Sequence, residues 1–238
     1  HMGGSAEAIA NKYSISRDQQ DVFSEHSHRL ASTASAEGWF KNEIAPVTVT
    51  APRGELSVFE TDEGPRAGTT LDGLGSLSSV FPEGNTVTAG NASSISDGAA
   101  ALVITDENMA EQSETGPIAR INGYAHAANK PGMLFDAPRI AVASLLAKTK
   151  QALSDFNLIE VNEAFAAQVL ANGQALDWDW DRVNTRGGAI ALGHPIGASG
   201  ARILVTLLYA LRASRVKNGL AVICHAGGGA VAMSISLH

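Results

Sequence analysis

The sequence predicts an α/β protein in which helices are layered on sheets, preceded by an irregular, partly helical region. Beyond residue 117, short apolar runs of strand length alternate with longer stretches of helical periodicity. Apolar residues make up 45% of the 238-residue chain and charged residues only 17%. A chain of this size and composition can bury a sizeable core, so disorder is excluded as its main state.

The first part of the chain is expected to be helical and then rich in loops. Residues 5–38 have a helical pattern, in which Ser16 followed by Gln19 indicates a capping box. After this stretch, residues 46–50 and Leu56–Phe59 alternate like short strands.

The later part of the chain is expected to alternate between strands and helices. Residues 99–105 are a small-to-branched apolar run that predicts a buried strand, and residues 118–124 predict another. Asp136 as a cap, with Pro138 in the first turn, predicts a helix that runs to about residue 152. The remaining expected elements are a strand at Leu158–Val161, a helix at 163–171, a strand-like approach to a turn at 183–192, a helix at 199–213 and strands at 220–224 and 230–237.

Charge and cysteine content exclude several classes of protein. The 24 acidic and 17 basic residues give a formal charge of −7, which disfavours a nucleic-acid binder. The most apolar stretch, residues 203–211, is about half as long as a bilayer span, so no membrane partner is expected. One cysteine rules out a disulfide framework within the chain, and it makes a reducing compartment the expectation. We expect the cytoplasm, with an organellar matrix as the alternative.

Three polar residues lie where predicted strands end, which is the usual place for a site in an open α/β sheet. Asn162 follows an apolar strand, His194 lies between Gly193 and Pro195, and Cys224 ends another apolar strand. Each also has an ordinary structural explanation, as a helix cap, a turn residue and a core thiol respectively.

Several sequence blocks resemble those of one family, the thiolases. These blocks are NEAFAAQ at 162–168, GGAIALGHPIGASGAR at 187–202, TVTAGNAS at 86–93, DGAA at 97–100, SAE at 5–7 and ISR at 15–17. The resemblance extends over the whole chain.

This resemblance implies a thiolase-like layered αβαβα fold, present here in incomplete form. It divides the chain into a loop domain at 1–94, the last strand region of the N-terminal half-domain at 95–115 and the C-terminal half-domain at 116–238. It also implies acyl transfer between thioesters and coenzyme A, either by Claisen condensation of acetyl-CoA or by thiolysis of a 3-ketoacyl-CoA. Acyl-CoA would be a substrate rather than a permanently bound cofactor, no metal is expected, and the assembly would be a homo-oligomer, a dimer or a tetramer.

The resemblance assigns catalytic roles to three residues. His194 would activate the nucleophilic cysteine and help to bind the thioester oxygen, and Cys224 would move a proton on and off the α-carbon. Asn162 would hold a water that completes an oxyanion hole. The chemistry suits these residue types, because the developing enolate oxygen needs hydrogen-bond donors. The reaction also needs a base with a pKa near the working pH, which a thiol beside glycine-rich backbone can provide.

The same resemblance assigns substrate contacts to six further residues. They are Ser93 on the pantetheine arm, Arg66 at the nucleotide end of CoA, Ala164 and Phe165 in the wall of the acyl pocket, and His1 and Met2 beside the pantetheine. For the first two residues of the chain, a remnant of cloning is the alternative explanation.

The chain departs from the family pattern at its cysteines. Thiolases carry the acyl group on a cysteine of the N-terminal half, whereas the single cysteine here, Cys224, aligns with the proton-transferring one. We therefore expect the acyl-carrying cysteine to lie outside this chain, on a missing N-terminal segment or a partner chain, and the chain alone to be inactive. Ala226 replaces the glycine whose N–H serves a second oxyanion hole, and residues 131–138 lack the expected family pattern.

Two other functions compete with that of a thiolase. A ketoacyl-synthase-like condensing enzyme would use histidine at position 224, so the cysteine there favours a thiolase. A non-catalytic CoA-binding or scaffolding subunit of a split thiolase would explain the missing nucleophile. The presence of Asn162, His194 and Cys224 argues against that alternative.

Overall fold

The computed structural model describes residues 1–81, 84–114 and 118–238. Its helices, in chain order, are α1 (Met2–Tyr13), α2 (Arg17–Ala36), α3 (Leu71–Gly75), α4 (Glu107–Gln112), α5 (Ala137–Thr149), α6 (Ala166–Leu176), α7 (Ala189–Leu192) and α8 (Ser199–Ser214). Its strands are β1 (Val47–Thr50), β2 (Leu56–Phe59), β3 (Ala119–Ala128), β4 (Leu158–Val161), β5 (Asn218–His225) and β6 (Gly229–Leu237). The predicted boundary between residues 115 and 116 lies outside the described residues, and the other predicted boundary, at 94/95, stays a prediction.

The C-terminal region is built on one four-stranded sheet with the order β3-β6-β5-β4. The first two pairings are antiparallel, whereas β5 and β4 run parallel. A single parallel bridge between Ile159 and Val183 extends the sheet beyond β4 by one residue. The predicted strands at Leu158–Val161, 220–224 and 230–237 are confirmed.

The sheet lies between two helical layers because β5, one of its two inner strands, is apolar on both faces. Leu220 and Val222 of β5 belong to the core cluster that includes residues of α5. Ala221, between them in sequence, belongs to the cluster formed with Ile203 and Leu207 of α8. Successive strand residues point to opposite faces, so this alternation places a helix on each side and confirms the α/β class.

The N-terminal helices pack onto this unit. α2 begins with the predicted capping box, in which Ser16 Oγ accepts from Gln19 N–H and Gln19 Oε1 accepts from Ser16 N–H. The helical pattern is divided in two because Ser14, at φ 55°, ends α1 in the left-handed conformation. The predicted strands near residue 50 form the antiparallel hairpin β1–β2.

The prediction of a buried strand at 99–105 is wrong. These residues lie in irregular structure, and Val103 and Ile104 are 98% and 70% exposed. A strand exists only through hydrogen bonds to a neighbour, and no described strand pairs with this run.

The prediction of a strand-like segment at 183–192 is also wrong for most of its length. Val183 makes one bridge, the chain then turns at Gly187 with φ 74°, and α7 follows. Glycine at positive φ ends an extended conformation, which the apolar pattern alone does not reveal.

Asp136 precedes α5 as predicted, but its side chain does not cap the helix. Its carboxylate accepts hydrogen bonds from Lys12 Nζ at 3.0 Å and Tyr13 Oη at 2.7 Å, which tie the end of α1 to the start of α5. Arg139 adds a two-pronged contact through Nε at 2.9 Å and Nη2 at 2.8 Å.

None of the helices in the described ranges combines the length and the apolar composition needed to cross a bilayer.

The hydrogen bonds of Asp136 with Lys12, Tyr13 and Arg139, here called the Asp136 cluster, predict a loss of stability in acid. Burial raises the pKa of this carboxyl, but hydrogen bonds from Arg139, Tyr13 and Lys12 outweigh it and lower the pKa to about 2. The cluster therefore stabilises the fold fully above the unfolded carboxyl pKa of about 4 and loses this contribution as pH falls toward 2. Asp136→Asn is expected to lower the free energy of unfolding by about 1.5–3 kcal/mol at pH 7, and by less at pH 3.

Urea unfolding at both pH values measures this difference. Glu107→Gln is the matched control, because its carboxylate also contacts an arginine, Arg120, but both side chains are exposed. An equal loss for Asp136→Asn at the two pH values would contradict the assignment.

Candidate active site

Parallel pairing brings the ends of β4 and β5 side by side. Val161 pairs with Val222, and the N–H of Asn162 donates to the carbonyl of Val222 at 3.0 Å. Cys224 lies two residues further along β5. Asn162 and Cys224 therefore occupy neighbouring positions at the carboxyl edge of this pair, where sites in α/β sheets form.

His194 is held at this edge by its backbone and by its ring. Its N–H donates to the carbonyl of Ser94 at 3.0 Å. Gly193 precedes it with φ 92°, and a β-carbon there would collide with Ser96. His194 Nε2 lies 3.3 Å from Asn162 Nδ2, so the structure brings these two predicted site residues into contact.

The environment of His194 favours the neutral ring. Burial lowers its pKa below the usual value, and the positive charge of Arg202 lowers it further. A neutral imidazole near pH 7 has one nitrogen with a free lone pair and can accept a proton.

Burial determines the protonation state of the Cys224 thiol. The residue is 8% exposed and belongs to a core cluster with Ala6, Phe135 and Ala164. Burial raises the pKa of this thiol to about 12, so it is protonated at neutral pH. Desolvation of the thiolate dominates in this apolar cluster, and the proton-transferring role of Cys224 stays a prediction.

The turn after Cys224 accommodates the departure from the family pattern. Gly227 and Gly228 have φ of 87° and 91°, but Ala226 does not have a positive φ. Its β-carbon therefore causes no backbone strain of the kind that a positive φ would impose. The imidazole Nδ1 of His225 lies 2.8 Å from the carbonyl oxygen of Ala226. That the Ala226 N–H serves an oxyanion stays a prediction.

The segment around Ser93 is tied to the start of α6. The N–H and the hydroxyl of Ser93 both donate to the carbonyl of Ala164 at 3.0 Å, and Ala92 bridges to Phe165. Phe165 packs edge-on against Phe135, with ring centroids 5.2 Å apart. The structure thus brings together Ser93, Ala164 and Phe165, three of the six residues predicted to contact substrate.

The other three make no hydrogen bond to this group among those of the described residues. His1 and Met2 are exposed at the start of α1, where His1 Nδ1 accepts from Gly3 N–H at 3.3 Å. The Arg66 side chain is exposed, and its backbone N–H donates to His28 Nδ1. Among the hydrogen bonds and ring contacts of the described residues, none links these three to the edge of β4 and β5.

Sequence reasoning missed two residues that support the site. Ser199 Oγ lies 2.6 Å from His194 Nδ1, and Glu163, which follows Asn162, is a buried carboxylate held by three donors. Both residues have a signal in the sequence, because Ser199 begins a helix five residues after His194 and Glu163 lies two residues after an apolar strand. A hydrogen-bonded pair within a turn is nevertheless visible only in three dimensions.

Comparison with known proteins decides the family. The thiolase C-terminal domain family matches residues 115–237, and the thiolase N-terminal domain family matches residues 1–108. The chain belongs to the thiolase family. The predicted family membership is therefore confirmed.

The relatives of this thiolase chain include bacterial enzymes. The acetyl-CoA acetyltransferase of Escherichia coli K12 is 49% identical over 235 residues, which cover 99% of this chain and 59% of that protein. The acetyl-CoA acetyltransferase of Thiocystis violacea is 46% identical over 99% of this chain and 60% of that protein. The chain thus spans about 60% of the length of these relatives.

Solved structures match over the whole of this thiolase chain. The acetyl-CoA acetyltransferase of Bacillus anthracis matches with a TM-score of 0.97 and 41% identity, over 100% of this chain and 60% of that one. Human mitochondrial 3-ketoacyl-CoA thiolase in complex with CoA matches with a TM-score of 0.91 and 37% identity, over 100% and 59%. These matches confirm the predicted thiolase-like layered fold.

The state of Cys224 predicts slow alkylation of the folded thiolase chain. A thiol with a pKa of about 12 rather than 9 has roughly 1000-fold less thiolate at pH 8, and only the thiolate reacts. The rate with iodoacetamide at pH 8, followed by mass spectrometry, is therefore expected to be at least about 1000-fold lower for the folded chain than for the chain in urea. Equal rates in the two states would contradict the assignment.

Proposed function

We propose that this chain is the proton-handling part of a thiolase-type acyl-CoA acyltransferase. The observation that carries the proposal is the contact between Asn162 and His194 at the edge where Cys224 lies, one residue before the end of β5. This arrangement places a neutral base, an amide and a protonated thiol at one end of two parallel strands. Names of relatives as acetyl-CoA acetyltransferases, and the CoA complex of the human thiolase, support acyl-CoA and CoA as the substrates.

In thiolysis, the first step uses His194 as a base. A cysteine thiol outside this chain transfers its proton to His194 Nε2 and attacks the 3-keto carbon of the substrate. The tetrahedral oxyanion then collapses, the bond between the α- and β-carbons breaks, and its electron pair forms the enolate of acetyl-CoA. The acyl group remains on that cysteine as a thioester.

Cys224 completes this step as an acid. Its thiol, protonated because burial raises its pKa to about 12, donates a proton to the α-carbon of the enolate and releases acetyl-CoA. The resulting Cys224 thiolate takes the proton of incoming CoA, whose sulfur attacks the acyl thioester. Histidine then returns its proton to the departing cysteine, and condensation is the same sequence in reverse.

Asn162 serves the enolate oxygen indirectly. Its Oδ1 is buried and has no hydrogen-bond partner among the described residues. This acceptor suits a water whose second hydrogen points to the thioester oxygen, beside the protonated His194. The N–H of Ala226 would serve the oxyanion of the other half-reaction, and Ser93, Ala164 and Phe165 would line the approach of the acyl-CoA. We also propose that His1, Met2 and Arg66 contact the substrate, at positions not hydrogen-bonded to Ser93, Ala164 or Phe165 among the described residues.

The single cysteine has a consequence for the partners of the chain. Because the single cysteine, Cys224, aligns with the C-terminal motif, we propose that another polypeptide segment supplies the acyl-carrying thiol and that the chain alone is inactive. Two free thiols suit a reducing compartment such as the cytoplasm. We further propose homo-oligomeric assembly, as a dimer or tetramer.

A non-catalytic CoA-binding or scaffolding subunit is the second candidate function, favoured by the same single cysteine. Native and denaturing mass spectrometry of the chain purified from its source would reveal a companion polypeptide. Cleavage of acetoacetyl-CoA in the presence of CoA and that companion would support the enzyme. CoA binding with no cleavage would support the non-catalytic subunit.

In the assembled enzyme, Cys224→Ala is expected to lower the condensation rate by at least about 100-fold, because the α-carbon loses its acid and base. Transfer of an acetyl group to the companion cysteine, seen as a mass shift, should remain. Ser234→Ala is the matched control, since it also changes a buried small residue of the same sheet, and should retain activity. Unchanged turnover in Cys224→Ala would contradict the role of the thiol.

A further inference from the structure

The hydroxyl of Ser199 has a fixed direction. Its Oγ lies 2.9 Å from the carbonyl oxygen of Pro195 and 2.6 Å from His194 Nδ1. Of these two neighbours only the ring nitrogen can carry a hydrogen, so both contacts are hydrogen bonds together only when the hydroxyl donates to Pro195. The same carbonyl accepts from the N–H groups of Ala198 and Ser199 at 2.8 Å, which holds it rigidly at the start of α8. Ser199 is fully buried, so water does not compete for its hydrogen.

A hydroxyl that donates its one hydrogen can only accept elsewhere. Ser199 Oγ lies 2.6 Å from His194 Nδ1, so this ring nitrogen must carry a hydrogen and donate it. A neutral imidazole has one N–H, which leaves Nε2 with a lone pair.

The neighbour of Nε2, the side-chain amide of Asn162, is consistent with a hydrogen on Nδ1. Asn162 Nδ2 lies 3.3 Å from Nε2 and can donate to its lone pair. With the amide turned over, Oδ1 would face the lone pair and repel it. The Ser199 hydroxyl therefore also determines which end of Asn162 faces the histidine. Among the described residues, Arg202 is the charged group that acts on this ring.

We propose that Ser199 is a positioning residue that keeps a proton on His194 Nδ1, so that Nε2 alone takes up and returns protons. Nε2 then takes up a proton in exchange for the hydrogen bond from Asn162 Nδ2 and is a hydrogen-bond donor afterwards, while the ring does not turn. The catalytic meaning of this inference rests on the proposed acyltransferase function, but the tautomer itself does not.

The tautomer can be measured on the 238-residue chain without turnover. Long-range ¹H–¹⁵N correlation spectra at pH 8 show which ring nitrogen is protonated, and His194→Gln identifies the signal. The wild-type chain is expected to show the Nδ1–H form. Ser199→Ala should shift the ratio of the two tautomers toward Nε2–H by about tenfold, since one hydrogen bond selects between them.

Two further variants separate the hydroxyl from packing. Ser199→Thr keeps the hydroxyl and should keep the wild-type ratio. Ser24→Ala is the matched control, because Ser24 is equally buried and donates to the carbonyl four residues earlier, Gln20, at 2.8 Å, and makes no hydrogen bond to a histidine among those of the described residues. It should leave the ratio unchanged.

Three results would overturn the proposal: an Nε2–H tautomer in the wild type, an unchanged ratio in Ser199→Ala, or equal shifts in Ser199→Ala and Ser199→Thr. If a companion restores acetoacetyl-CoA cleavage, Ser199→Ala should lower kcat by about tenfold with KM changed less. An unchanged kcat would overturn the catalytic part. Absence of all cleavage would count against the proposed function and would leave the spectroscopic test intact.

Discussion

One buried carboxylate holds the parts of the site in place. Glu163 is 1% exposed and accepts hydrogen bonds from Ser27 Oγ at 2.7 Å, Asn184 Nδ2 at 2.8 Å and Ile190 N–H at 3.1 Å. These donors come from α2, from the segment after the Val183 bridge and from α7. Burial raises the pKa of Glu163, and the three donors oppose this, so the carboxyl depends on its partners. Asn162 precedes it directly, and α7 leads into His194.

A second buried acidic residue affects the electrostatics of the same region. Glu160 of β4 is 2% exposed, and its Oε2 lies 3.8 Å from Arg202 Nη1. Burial raises the pKa of Glu160 to about 8, so it does not fully neutralise the arginine at pH 7. Arg202 therefore remains a net positive influence on His194 and disfavours the charged ring.

The sequence predicted those features that depend on neighbours along the chain. Local sequence patterns predicted the capping box at Ser16, the strands β4 to β6 and the apolar helix α8. The resemblance to thiolase sequence blocks pointed to Asn162, His194 and Cys224 as one site. The exposed run at 99–105 was missed because strand formation depends on a pairing partner, which periodicity does not supply. Neither the depth of burial that raises the Cys224 pKa nor the direction of the Ser199 hydroxyl can be obtained without coordinates.

The hydrogen bonds that form the site join residues that are far apart in the sequence. Ser94 binds the backbone of His194, and Asn162 binds that of Val222, so each contact closes a loop of dozens of residues. The entropic cost of such closures delays them relative to local helix formation. The histidine and the amide should consequently meet late in folding, after α2 and α8 have formed. Partly folded chains would then contain most of their helices and yet have no assembled pair of groups to handle a proton.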